Sequence, residues 1–317
     1  MQDPYSNKSS DSKGEIDLQE ILNVLLHGRW IIVSLTAFFS TIAVIYSLLL
    51  PNIYESKALI APVNPSSAIG GALKSYSSLA GLAGINFPSG SAEGNSAKAI
   101  QKIQTLSFFE ENIFSKIYLP DLMALKAWDS ETNTVVFNEN LFDINTNSWI
   151  RDYSYPKHQI PSAQESFLVF TKQHIRVSED KNSGFITLSI KHQSPFLAKQ
   201  WVELIVDEIN NFYRKKDKAE SEKAVIYLNQ QISGTSLSEI KEVLANLLQD
   251  EIKKLALIEA NKFYVFDYID TPAVMEKKSE PKRALICFLG TLLGGMLGIF
   301  LVFIRHYVFK KKSLLNS

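Results

Sequence analysis

Apolar residues fall into two uninterrupted runs with several periodic stretches between them. Residues 30–50, WIIVSLTAFFSTIAVIYSLLL, and residues 284–304, ALICFLGTLLGGMLGIFLVFI, contain no charged side chain. Each run matches the roughly 20 helical residues needed to cross a bilayer core, where a helix satisfies its own backbone groups. The pattern predicts transmembrane helices over 30–50 and 284–304. Residues 1–29 and a short tail, 305–317, are then cytoplasmic, and a large domain over 51–283 lies on the opposite side. Arg29, Arg305, Lys310, Lys311 and Lys312 set this orientation, because basic flanks stay in the cytoplasm. Lys277, Lys278, Lys282 and Arg283 run against it, but they flank a loop too long for that rule. A cleaved signal peptide is the other reading of the first run. Its 29-residue leader with acidic positions, and the length of its apolar stretch, speak against that.

Between the runs the periods alternate. Residues 1–14 are polar and read as disordered, and 16–26 have the spacing of an amphipathic helix. Residues 53–61 alternate as a strand. Residues 64–96 are rich in Ser, Gly and Ala and read as a loop, and an apolar stripe predicts helix over 96–118. Residues 119–165 have poor periodicity and read as loop with short helices. Strands near 175–177 and 185–192, joined by turn-forming Glu179 to Gly184, predict a β-hairpin. Ser194 and Pro195 then open a long helix over about 195–232. Ser236 and Glu239 form a capping-box pattern for another over 236–262. At about 1.5 Å per residue these reach roughly 55 and 40 Å, lengths that suit a protruding stalk. Residues 263–270 read as a strand that pairs with 53–61. The fold class expected is an α+β membrane protein: two transmembrane helices flank an α/β domain carrying a long protruding helix.

Composition narrows the function. Lys+Arg and Asp+Glu both number 33, so no basic excess points to nucleic acid. The one cysteine, Cys287, lies inside the second apolar run, so the large domain is expected to have no disulfide. Gly70-Gly71-Ala72-Leu73-Lys74-Ser75 misses a phosphate-binding loop because Leu73 stands where glycine must precede Lys-Ser. His27, His158, His174, His192 and His306 include no pair at zinc-binding helical spacing and read as surface or interface residues. Glu110-Glu111 and Asp250-Glu251 read as solvated helix faces rather than acid–base pairs. No catalytic, cofactor-binding or metal-binding residue is assigned. Two features point to assembly instead. Gly290, Gly294 and Gly298 recur every fourth residue, a ridge that lets membrane helices approach closely, against the first span, a neighbouring copy or another membrane protein. Leu237, Ile240, Leu244, Leu247 and Leu255 form a near-heptad face, which serves either the domain's own core or contact with a second copy.

The residues resemble the Wzz-type chain-length determinants, the polysaccharide co-polymerases of Gram-negative inner membranes. The resemblance is carried by Ile16-Asp17-Leu18 before the first span and by Leu50-Pro51-Asn52-Ile53-Tyr54-Glu55-Ser56 after it. The Gly/Ala/Leu-rich residues 79–85 and Tyr227-Leu228 add to it, as does Asp270-Thr271-Pro272 with Pro281-Lys282-Arg283 before a Gly-rich second span. Pro51, Tyr54, Pro272, Pro281, Lys282 and Arg283 are the motif positions. The chain departs from the family at Glu276, Lys277 and Lys278, where a further proline is usual.

The resemblance implies a two-pass inner-membrane protein with a periplasmic domain whose α/β base is membrane-proximal. It implies a homo-oligomeric ring in membrane lipid, working with a membrane polysaccharide polymerase on a lipid-linked glycan such as O-antigen. This chain is then a non-enzymatic regulator of glycan length, with no cofactor. The alternatives are a transmembrane adaptor for a separate capsule or exopolysaccharide tyrosine kinase, a two-span periplasmic sensor, and a membrane-anchored periplasmic enzyme. The 13 residues after the second run leave no room for a fused kinase or output module. Glycan identity, modal length, ring size and polymerase partner are not encoded in any motif.

Overall fold

The structure, a computed structural model, describes residues 18–63 and 92–315. The expectations for residues 1–17, for the Gly/Ala-rich stretch including 70–75 and 79–85, and for the last two residues lie outside these. The chain divides into two compact units, residues 1–51 with 280–317, and residues 52–279.

The first unit is helical. α1 (Leu18–His27) and α2 (Arg29–Leu49) are separated by Gly28. α2 ends because Leu50 precedes Pro51 and is driven into extended backbone, φ −72° and ψ 135°. α8 (Arg283–Leu315) packs along α2. Arg29–Leu49 and Arg283–Val308 are both long and apolar enough to cross a membrane.

The second unit is built on a four-stranded antiparallel sheet. Its strands are β1 (Tyr54–Pro62), β6 (Ile175–Glu179), β7 (Ile186–His192) and β8 (Phe266–Asp270), in the order β6-β7-β1-β8. Alternation sorts the faces. Ser56, Ala58 and Ile60 of β1 are buried, and Ile60 lies opposite both Ile186 of β7 and Tyr268 of β8. Over this face lies the first half of α6 (Pro195–Gly234), through Ala198, Trp201, Val202, Ile205, Val206 and Ile209. The expected hairpin and the β1–β8 pairing are both present.

α3 (Ala92–Ile103) stops short of the helix expected over 96–118. Thr105 breaks it, because its hydroxyl accepts from the Phe108 amide and caps a new turn. That turn widens into a π-helical turn over Phe109–Ile113, which turns Phe109 onto Phe167 and Phe170. α4 (Leu119–Met123) and α5 (Ala163–Val169) follow.

Residues 119–165 depart most from expectation. They contain two further hairpins, β2 (Leu125–Asp129) with β3 (Thr134–Phe137), and β4 (Phe142–Asp143) with β5 (Ser148–Trp149). One device closes all three β-hairpins among the described residues. Asp129, Asp143 and Asp180 each accept from the backbone amide two residues on and the hydroxyl three residues on. The fourth residue after each, Asn133, Asn147 or Gly184, takes positive φ of 52°, 49° and 70°. The strings DSETN, DINTN and DKNSG are thus one turn used three times.

α6 runs 40 residues, about 60 Å. Ser194 caps it as expected, its Oγ accepting from the Leu197 amide. α6 continues past the sheet and packs its second half against α7 (Ser238–Ala260), forming a helical hairpin. The capping box expected at Ser236 does not form. Leu237 occupies the cap position, with no side-chain hydrogen bond.

Candidate functional site

The glycine ridge is filled from within the chain. A Cβ added to Gly290 would collide with the Ala43 Cβ, one on Gly294 would meet the Phe39 Cβ at 2.8 Å and the Thr36 Cα at 3.0 Å, and one on Gly298 the Ile32 Cα at 2.9 Å. Two of these obstacles are backbone atoms of α2, which no rotamer change relieves. Between them the Ser40 and Thr291 hydroxyls bond at 2.7 Å. Gly28 adds a fourth close approach, its position hard against the Val302 side chain. Of the three partners open to the ridge from sequence, α2 of the same chain occupies it.

The near-heptad face divides. Leu244 and Leu255 are half-buried on α7, and Ile258 is buried, while Leu237, Ile240 and Leu247 are exposed together with Val243. Ile226 and Tyr227 are exposed on α6. The hairpin's internal seam is therefore covered, and an apolar stripe at Ile240, Val243 and Leu247 lies outside it.

The foot of the hairpin is locked by α6. The buried Asn210 carboxamide oxygen accepts from the amides of Tyr264, Val265 and Phe266, at 3.2, 2.7 and 3.0 Å. Its nitrogen donates to the Val206 and Phe266 carbonyls. One and two turns further on, Arg214 donates to the Asn261 and Lys262 carbonyls, and Asp217 accepts from the Tyr264 hydroxyl at 2.6 Å. Lys218 pairs with Glu259. Asp217 and Lys218 are thus joints between elements.

Two of the five histidines differ from the sequence reading. His192 is fully buried and His174 half-buried, their rings 5.6 Å apart and both edge-on to Trp201. His192 Nδ1 accepts from the Ser194 amide at 3.0 Å, so its Nε2 carries the proton and donates to the Asp121 carbonyl. Burial, with His174 adding to it, lowers the His192 pKa to about 4. Burial also lowers that of His174, while the Lys191 carbonyl opposes it. The Asp121 carboxyl lies in the same region, one oxygen without a partner among the described residues, and burial raises it to about 6. Periodicity carries no signal for this network, because its members come from four separate segments.

Of the remaining motif positions, Pro272 is buried, Tyr54 is half-buried with its ring edge-on to Trp128, and Pro51 and Lys282 are exposed. Pro281 and Arg283, at the start of α8, are half-buried. Ser56 donates to the Ala273 carbonyl, which holds the residue after Pro272 beside β1. Among the described residues no three His, Cys, Asp or Glu side chains gather as a metal site.

The molecule is a mixed helix and sheet protein with a pair of membrane-length helices. Residues 14–132 match the family model Wzz, chain length determinant protein, and residues 238–307 match GNVR, the G-rich domain on putative tyrosine kinase. No curated protein matches the chain. Among solved structures, a full-length bacterial polysaccharide co-polymerase is similar at 14% identity and a TM-score of 0.40, over 93% of this chain and 98% of that one. A fragment of WzzB, a polysaccharide co-polymerase from Salmonella Typhimurium, is similar at 13% identity and a TM-score of 0.33, over 72% of this chain and 100% of that one. Over residues 14–132 the chain is thus similar to the Wzz chain length determinant family, and its two membrane-length helices mark it as a membrane protein.

Proposed function

We propose that this protein regulates the length of a lipid-linked polysaccharide without catalysing a reaction. It does so as a two-pass protein of the bacterial inner membrane, with residues 51–283 in the periplasm and both termini in the cytoplasm. The Wzz match over residues 14–132 carries the reading. The apolar helices Arg29–Leu49 and Arg283–Val308 supply the two crossings. Copies assemble into a ring through the stripe at Ile240, Val243 and Leu247, which the hairpin leaves exposed. The ring biases a membrane polymerase between elongating and releasing its glycan. A gel ladder of the surface glycan, from cells with and without the chain, tests this. Loss of the chain is expected to replace a clustered modal length by a random, mostly short distribution. An unchanged ladder overturns the proposal.

A second reading rests on one observation, the match of residues 238–307 to the G-rich domain on putative tyrosine kinase. On that reading the chain is a membrane adaptor for a separate tyrosine kinase. Deletion then abolishes total polymer while any residual ladder keeps its mode, and a cytoplasmic kinase co-purifies with the chain.

A further inference from the structure

A cavity of about 370 Å³ opens beside the edge strand β6, lined by Gln104, Phe167, Thr171, Ile175, Arg176 and Val177. Its size is that of a small-ligand site, and so is its make-up, an apolar floor with a few convergent polar groups. Ile175 is buried, and Val177 and the Phe167 ring are half-buried. Each polar group is held by the protein. Arg176 donates to the Thr171, Lys172 and Ile175 carbonyls and so ties the strand to the end of the preceding helix. The Thr171 hydroxyl donates to the Phe167 carbonyl at 2.8 Å, which turns its lone pairs outward as acceptors. The Gln104 nitrogen reaches the Ile100 carbonyl at 3.4 Å, and its carboxamide oxygen has no partner among the described residues. The Phe167 ring is fixed against Phe109, centroids 5.7 Å apart. No carboxylate lines the cavity, and its one charge is the Arg176 guanidinium.

From this lining we infer a binding site for one sugar residue of a glycan, neutral or anionic, stacked on Phe167 and hydrogen-bonded to Gln104, Thr171 and Arg176. The negative face of the aromatic ring attracts the polarised C–H groups of a pyranose. The amide and hydroxyl acceptors meet its hydroxyl groups, and the guanidinium accommodates a hydroxyl or carboxylate oxygen. Preorganised donors and acceptors lower the cost of binding a flexible chain. This inference rests on the proposed function, since it names where the growing polymer touches the protein.

The test uses the full chain in lipid nanodiscs. The probe is a mixture of di- to tetrasaccharides, released by mild acid from the surface polysaccharide of the same cells. Saturation-transfer NMR is expected to show contact with the wild-type protein. Gln104→Leu and Thr171→Val should each weaken binding by up to about tenfold, the value of one hydrogen bond, at unchanged melting temperature. Val177→Trp, which fills the cavity from the edge strand, should abolish it. Absence of transfer to the wild type, or equal transfer to all three folded variants, overturns the site. If deleting the whole chain randomises the glycan ladder while the variants bind like wild type, the site falls and the proposed function stands. If deletion leaves the ladder unchanged, the proposed function falls, and the NMR comparison still decides the site.

Discussion

Asp121 and His192 press on stability in opposite directions over the same pH interval. The Asp121 carboxyl, raised from 3.8 to about 6, keeps its proton in the folded state where the unfolded chain has lost it. Its contribution is therefore lost as pH rises through about 6. His192, lowered from 6.5 to about 4, stays neutral in the fold where the unfolded chain is protonated. Its contribution is full above 6.5 and is lost as pH falls toward 4. Between about 4 and 6 the two slopes offset each other. Asp121→Asn removes one of them. The variant is expected to be more stable than wild type at pH 7, by on the order of 1–3 kcal/mol, and to lose stability more steeply on acidification. Denaturant unfolding at pH 7 and pH 4.5 checks both, and a variant weaker at pH 7 would count against the account. None of this was legible from sequence, where His192 has no partner at helical spacing and Asp121 lies in a segment without period. Burial decided both roles, and burial there follows from tertiary packing.

At the scale of elements, strongly periodic segments were readable. α6 with its Ser194 cap, the β6–β7 hairpin and the β1–β8 pairing follow from local residue choice. The β2–β3 and β4–β5 hairpins were missed because their strands are only two to five residues long, too short for alternation to register. Their signal lay in the turns, as an Asp followed at the third and fourth residues by Thr-Asn. The Ser236 capping box failed for the opposite reason. The pattern was present, but the helix began two residues later, at Ser238. In the helical unit, the glycine ridge specifies its partner by steric fit. Gly294→Leu is expected to separate α2 from α8, because the obstructing atoms include the Thr36 backbone. With Cys287 replaced by Ser, a cysteine pair at Ser40 and Thr291 should cross-link readily in the parent. The yield should fall severalfold with Leu at 294. Equal yields would show that the ridge is not what holds the helices together.

At the scale of the whole molecule, the face predicted over Leu237, Ile240, Leu244, Leu247 and Leu255 serves two purposes that sequence alone could not separate. Heptad spacing marks a helix that is covered, but not by what. Leu244 and Leu255 are half-buried within the hairpin, and Leu237, Ile240 and Leu247 are exposed. The two halves predict different phenotypes. Leu247→Glu, at the exposed stripe, should leave the melting temperature within a few degrees of wild type. It should also reduce the oligomer seen by native mass measurement and blur the glycan mode. Leu244→Ala, on the seam, should lower stability by about 2 kcal/mol while the folded fraction keeps its oligomeric size. A Leu247→Glu protein of unaltered mass would place the ring contact elsewhere.

Asn210 gives the hairpin a mechanical character. Three consecutive amides converge on one carboxamide at the point where the chain leaves α7 and enters β8, and Arg214 and Asp217 repeat the grip along the same helix. A rod attached by loops would swivel at its root. This one is a beam clamped at one end, so a sideways load at its tip is felt as torque on β8, an edge strand of the sheet. Whatever touches the distal turns of α6 and α7 therefore acts on the sheet through a rigid arm.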